Sequence, residues 1–185
     1  MSSAPRLTPN DWTEAALEAM ARTGTTGVNV EQLAKSLGTT KGSFYHHFKN
    51  RQALLDAALG RWEEIVAGDL ETSKAVVDPY ARLITSSIAG VEGGLNGFVD
   101  LALAASLDHE SVAASVHRVN QTRLDFLTTI LTEMGLTPTL AGERAVRALS
   151  GYLGLYQLQR SLAETFDQGR VIAQITALVD DMVRN

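Results

Sequence analysis

Residues 29–51 read NVEQLAKSLGTTKGSFYHHFKNR, two short helical patterns joined through a glycine and a pair of threonines. Asn29 stands where an N-cap belongs, and Val30, Leu33, Ala34 and Leu37 then follow the spacing of one helix face. Gly38 ends that run, because glycine alone enters the left-handed conformation without penalty. After Thr39-Thr40 a second run spans residues 41–48, with Phe44 and Phe48 on one side, and Asn50 caps a further helix that starts at Arg51. The pattern is a helix-turn-helix. Its second helix is too short to persist alone, so Phe44 and Phe48 must seat it on Leu33 and Leu37. The remaining side chains are left around the outer face and ends.

Those outer residues suit a nucleic-acid groove. Lys41, near the start of the second helix, can donate to guanine O6 and N7, and Gly42 lets backbone come close to bases. Thr40 and Ser43 can meet a phosphate or a thymine methyl group. Tyr45 and His47 suit phosphates, and His46 shares the exposed side. Asn29, at the capped start of the supporting helix, is counted with this interface. Arg51 and Lys49 would form a second phosphate clamp with the free N–H groups of the following helix.

Outward from this stretch, the punctuation is helical throughout. Thr8-Pro9-Asn10-Asp11 combines a capping Thr, Pro at the first helical position and an acid three residues after the cap. It predicts a helix over 9–23 that stops at Gly24, with Trp12, Ala16, Leu17 and Met20 buried. Further helices are expected over 51–73, 79–91, 95–107, 110–134, 140–162 and 168–183, with breaks at Gly93-Gly94 and Leu107-Asp108. Strand alternation and internal repeats are absent. The fold class is therefore all-α, with about nine helices: a three-helix helix-turn-helix domain over 1–51 and a helical body over 52–185.

Composition agrees with such a division. The 185 residues carry 16 Lys+Arg against 21 Asp+Glu. The first 51 positions sum to +2 and the remainder to -7, so only the N-terminal module suits a polyanion. With Cys at 0, disulfides and thiolate metal sites are excluded. No run reaches the roughly 18–20 apolar residues of a membrane span. The first dozen residues lack the apolar stretch of a secretion signal, so a cytoplasmic location without membrane attachment is expected.

The ordered set Ala15-Ala16-Leu17, Gly24, Val30, Leu33-Ala34, Leu37-Gly38, residues 41–48 (KGSFYHHF) and Leu54-Leu55 resembles the DNA-binding domain of the TetR family of bacterial regulators. The Gly-Ser-Phe-Tyr-His-His-Phe segment is its most specific part. Two positions depart from the family's habit: Asn29 replaces a common Thr, and Trp12 an aliphatic residue. Glu31 is acidic at the start of the supporting helix and discourages a phosphate there. The resemblance implies a homodimer presenting two recognition helices about 34–36 Å apart to a palindromic double-stranded operator, most often as a repressor released by a small-molecule effector.

Such a dimer needs an interface in the body, and the last two helices are apolar enough to supply one. Ala141, Ala145, Ala148, Leu149, Tyr152, Leu153 and Tyr156 on one helix, with Ile172, Ile175, Leu178, Val179 and Met182 on the other, could build a four-helix bundle across a dyad. Gly151 and Gly154 would permit close approach. The resemblance further implies a ligand pocket among the middle helices, for which Trp62, Phe98, Leu101, His117, Gln121, Tyr152 and Tyr156 are the candidates.

Two other classes of protein compete with a regulator. A helical small-molecule carrier would share the body without reading DNA. An enzyme would need a constellation that the sequence does not offer. His46 and His47 point about 100° apart on a helix and cannot share a metal. Ser106-Leu107-Asp108-His109 lacks the strained strand-to-helix turn of a nucleophile. Neither a cofactor nor a metal is expected.

Overall fold

The computed structural model describes residues 7–92 and 96–184, of which the helices form nine elements. They are α1 Pro9–Thr23, α2 Val30–Ser36, α3 Lys41–Tyr45, α4 Arg51–Ser73, α5 Pro79–Glu92, α6 Asn96–Ala104, α7 Glu110–Glu133, α8 Pro138–Ser161 and α9 Gln168–Val183. A single 3-10 turn, Gly24–Gly27, joins α1 to α2. Among the described residues there is no strand. The all-α expectation holds, and α1, α4 and α9 have the predicted bounds. The expected Gly93-Gly94 break and the start of a helix at Leu95 lie outside the described residues. Helix α6 stops three residues short of the predicted end, and α8 starts at Pro138, because Thr137 caps it.

Capping explains why the N-terminal helices begin where they do. The Thr8 hydroxyl accepts from Asp11 N while the Asp11 carboxylate accepts from Thr8 N, at 3.3 and 2.6 Å. Both bonds satisfy donors that a helix start would otherwise leave open. They also hold the Asp11 carboxyl below the usual carboxylate range.

Burial then assembles three contiguous apolar clusters. In the first, Trp12, Leu17 and Met20 of α1 meet Phe44 of α3, Leu54, Leu55 and Trp62 of α4, Val99 and Leu103 of α6, and Val112 of α7. The N-terminal module therefore shares its core with the body. The 51/52 division falls in the first turn of α4, a 23-residue helix that serves both parts. The second and third clusters close the body, around Leu83, Ile130, Leu131 and Val179, and around Val91, Tyr156, Val171 and Ile175.

The last two helices spend their most apolar faces inside the chain. Ala141, Ala145, Ala148, Leu149, Tyr156, Ile175, Val179 and Met182 are buried by α5, α7 and each other. For these eight the expectation of a dyad interface is corrected, because the single chain already buries them, whereas Tyr152, Leu153, Ile172 and Leu178 of the same set are half-buried. At Gly151 an added Cβ would meet the Leu178 side chain at 2.9 Å, so this glycine lets α8 approach α9 within one chain. Gly154 faces open space. The opposite, exposed side of α8 carries Val146, Ser150, Gly154 and Leu158, and that of α9 carries Ala173 and Ala177.

Candidate nucleic-acid interface and interior cavity

Local hydrogen bonds set the helix-turn-helix. Asn29 Oδ1 accepts from Glu31 N at 3.0 Å and Gln32 N at 3.1 Å, capping α2. Gly38 ends it at φ 64°, a left-handed value that strains any residue with a Cβ. Thr40 Oγ1 then accepts from Ser43 N at 3.3 Å and starts α3. Helix α3 is held from beneath by Phe44, whose ring lies 5.3 Å from Trp12 edge-on and 5.8 Å from Phe48 in a stack. The structure thus gives Trp12 a role that an aliphatic residue would fill less completely.

Thr40, Lys41, Gly42, Tyr45, His46 and Lys49 are exposed around α3, with Ser43 and His47 half-buried and the Tyr45 ring edge-on to Phe44 at 5.1 Å. Helix α3 ends at Tyr45, not at residue 48. The chain continues in turns, with His47 N and Phe48 N both donating to Phe44 O at 2.9 Å, so that Asn50 can cap α4 through Ala53 N at 2.9 Å. Phe48 keeps its place on Phe44 all the same.

Two charged residues are engaged in ways the sequence did not reveal. Lys41 Nζ donates to Glu31 Oε1 at 2.8 Å, which keeps the Glu31 carboxyl low and the Lys41 ammonium high in pKa. Both side chains are well exposed, so water can exchange for either partner. Arg51 Nε donates to Val28 O at 2.7 Å, and its Nη2 bonds Thr25 O. This guanidinium braces the 3-10 turn against α4 where the sequence suggested a phosphate clamp. Its location at the boundary of the two modules supplied no sequence signal for that, since its partners are backbone carbonyls 23 and 26 residues away.

In the body, a cavity of about 80 Å³ opens between α4, α5, α7, α8 and α9. Its walls are mostly apolar, with Leu70, Phe126, Leu127, Ile175, Leu178 and Met182, interrupted by Asp69, Ser86, Ser87, Arg123 and Tyr152. Arg123 is buried and donates from Nη1 to Asp100 Oδ1 at 2.8 Å, while its guanidinium lies 5.5 Å over the Tyr152 ring. Among the described residues, the buried Asp100 Oδ2 has no hydrogen-bond partner. Burial raises the Asp100 carboxyl pKa against the pull of Arg123. Sequence reading missed this pair, although a signal existed: Arg123 falls on the α7 stripe of Val112, Val119 and Ile130, and Asp100 interrupts an apolar run.

The predicted pocket residues divide accordingly. Tyr152 is on the cavity wall. Tyr156 and Phe98 stand behind it, with rings 5.1 Å from Tyr152 and 5.4 Å from Tyr156 respectively, and Tyr156 donates to Gly90 O at 3.1 Å. Trp62 is fully buried in the first cluster, and Leu101 is half-buried on α6. His117 and Gln121 are exposed beside a separate outer groove with Glu63, Arg118 and Asp125. Spacing alone placed the two polar residues near the apolar stripe of α7, but they lie on its solvent side. Ser106 bonds Thr25 and His109 bonds Ser111, at 3.3 and 3.2 Å. That sequence cluster is therefore split between two structural contacts. Among the described residues, no group of three or more His, Asp or Glu side chains is placed to hold a metal ion, and no helix is long and apolar enough to cross a membrane.

Nine helices among the described residues, with a short glycine-turned pair near the N-terminus, define an all-α helix-turn-helix protein. Residues 13–58 match the sequence model of bacterial regulatory proteins of the tetR family. Over 52 residues the chain is 40% identical to the tetracycline repressor protein class A from transposon 1721 of Escherichia coli. That stretch is 28% of this chain and 24% of the relative, so the match spans about a quarter of the repressor's length. The whole fold is similar to a TetR transcriptional regulator from Legionella pneumophila, at 14% identity, TM-score 0.85 and 100% coverage of both chains. It is also similar to the transcriptional regulator FadR from Bacillus subtilis in complex with stearoyl-CoA, at 19% identity and TM-score 0.71 over 95% of this chain and 98% of that one. Residues 13–58 are thus similar in sequence to the tetR family of regulators, and the whole fold is similar to that of solved TetR regulators.

Proposed function

We propose that the protein is a transcriptional regulator that binds a palindromic operator as a homodimer and responds to a small-molecule effector, with repression as its mode. Residues 1–51 serve as the reader and residues 52–185 as the sensing and dimerising body. The carrying observation is the outward cluster of Thr40, Lys41, Gly42, Tyr45, His46 and Lys49 above a helix whose only anchor residue is buried Phe44. A helix of five residues has no reason to be held in that pose by its own stability. Presentation of its outer face to a major groove supplies one. Dimerisation is assigned to the exposed face of α8 and α9 around Gly154 and Ala177. Work on chromosomal DNA fits a cytoplasmic location.

Gly42 gives a specific check. A Cβ there would meet only Thr40 Oγ1, at 3.5 Å, so nothing within the chain requires glycine. Gly42→Ala is therefore expected to leave the fold intact or stabilise it by up to about 1 kcal/mol. If backbone at this position approaches bases, the same change lowers operator affinity at least about tenfold. An unchanged affinity in a gel-shift titration would reject close approach there.

Glu31 supplies a change of the opposite sign. As long as it holds Lys41, a base or phosphate must displace it, and it adds negative charge beside DNA. Glu31→Gln should bind duplex DNA about two- to fivefold more tightly at low salt, with the gain shrinking as salt rises. Weaker binding would mean that Glu31 orients Lys41 for its contact rather than competing for it.

Coupling of the cavity to the reader has a short physical path. Arg123 on the cavity wall pairs with Asp100 of α6, and beyond it Ser106 bonds Thr25 at 3.3 Å. The Ala102 carbonyl lies 3.0 Å from a Cβ placed on Gly24, and Arg51 ties the same 3-10 turn to α4. Arg160 of α8 also donates to Arg22 O at 3.2 Å. A ligand that shifts α6 or tilts α4 would then move α2 and α3 with the turn, and operator and effector affinities would be reciprocally linked. Selection of bound sequences from a random DNA pool tests the reading as a whole. Recovery of paired, inverted half-sites one helical turn apart supports it, and recovery of no preferred sequence removes it in favour of a carrier.

A further inference from the structure

We propose that the interior cavity takes a small carboxylate with an apolar tail, and that Arg123 is its head-group receptor. The inference deepens the effector-binding reading above and rests on it for its biological role. Arg123 is among the wall residues of the cavity, and its side chain is only 10% exposed. Of its five N–H donors, one is used in a hydrogen bond within the described residues, the 2.8 Å bond to Asp100. Asp100 is not on the wall. Arg123 links the two, with its remaining donors in no hydrogen bond among the described residues, beside a wall on which Leu, Ile, Phe and Met side chains are joined by Asp69, Ser86, Ser87 and Tyr152.

Electrostatics favour an anion over a cation at this point. Of the two paired charges it is the guanidinium that reaches the wall, so a ligand entering the cavity meets its donors before the Asp100 carboxylate. Asp69, the other charge on the wall, is partly exposed, so solvent screens it. A carboxylate matches the planar fork of Arg123 and can share it with Asp100, as two carboxylates sharing one guanidinium keep each charge hydrogen-bonded. Ser87, half-buried on the wall, adds a hydroxyl that can donate to the same head group.

Size and shape set the tail. About 80 Å³ holds only a handful of heavy atoms. Met182, Leu178 and Leu127 are the flexible part of the lining, and Met in particular adapts to irregular contents. Short straight chains should therefore fit, with affinity growing per methylene until the cavity is full.

The test uses the full-length protein without DNA and titrates butyrate, hexanoate and octanoate by calorimetry, beside the alkylammonium and alkanol of each chain length. The expected result is carboxylate binding at least tenfold tighter than either comparison compound. Arg123→Met combined with Asp100→Leu removes the charge pair while keeping apolar volume, and should lose that preference. Ser87→Leu, which fills the cavity from its rim, should weaken every bound probe and so locate binding. Tighter binding of the ammonium or alkanol, carboxylate binding that the double variant leaves unchanged, or binding of no probe in the series would each overturn the assignment. Failure here is distinguishable from failure of the regulator reading, because the DNA selection is run on the ligand-free protein. Inverted half-sites recovered by a protein that ignores carboxylates would remove the head-group assignment alone.

Discussion

Phe44→Ala is expected to cost about 3–5 kcal/mol of folding stability, a loss as large as truncating Trp12 in the same cluster. Phe44 is fully buried, and it is the one residue of α3 that is. Its ring contacts Trp12, Tyr45 and Phe48, so the alanine variant leaves a void ringed by three aromatic side chains. Helix α3 has five residues and cannot survive the loss of its seat. Operator binding should vanish together with stability. Urea denaturation at fixed protein concentration checks the first effect, since a dimer's midpoint shifts with concentration. A loss below about 1 kcal/mol would show that α3 is held by something other than this cluster.

The second large effect concerns the buried ion pair. Arg123→Met leaves Asp100 buried with both carboxylate oxygens unpaired and is expected to destabilise by about 3–5 kcal/mol, and Asp100→Leu by a similar amount. Removing both charges should recover most of the loss, because paying desolvation for two ions is no longer required and apolar side chains of similar volume fill the space. A double-mutant cycle by denaturant unfolding reads the coupling directly. Single and double variants that are equally unstable would mean that packing of the two side chains, rather than their charges, holds α6 on α7. A recovered double variant would indicate that the pair is kept for what it binds or transmits, since the fold does without it.

How much of this was legible beforehand differs from element to element. Helices α1, α4 and α9 begin where the sequence predicts because their starts are chemical: Thr8 with Pro9, Asn50, and Asp167, whose carboxylate accepts from Arg170 N at 2.8 Å. The end of α3 was overrun by three residues because Phe44 and Phe48 share a helical spacing whether or not the helix continues. Cavity residues were harder. Periodicity reports that a helix has an apolar side, but a polar residue at the edge of that stripe, as with His117 and Gln121, can fall to either side of it.

The apolar faces of α8 and α9 show the same limit in another form. Apolar residues on α8 and α9 were visible, yet the count alone could not say whether they met a neighbouring helix of the same chain or of a second one. Only the packing of α5 and α7 against them resolved it, leaving Val146, Leu158, Gly154 and Ala177 outside.

The sequence by itself determined the all-α class, the order of the helices and the helix-turn-helix near position 42, because caps, glycine stops and 3.6-residue spacing act between residues close along the chain. Only the tertiary structure decided that Arg51 braces a turn, that Lys41 is held by Glu31, and that Arg123 meets Asp100 at the wall of a cavity. Each of those is an encounter between side chains, or between a side chain and a distant carbonyl, 10 to 26 residues apart. Such encounters depend on how the helices pack against one another, a relation that no local pattern encodes.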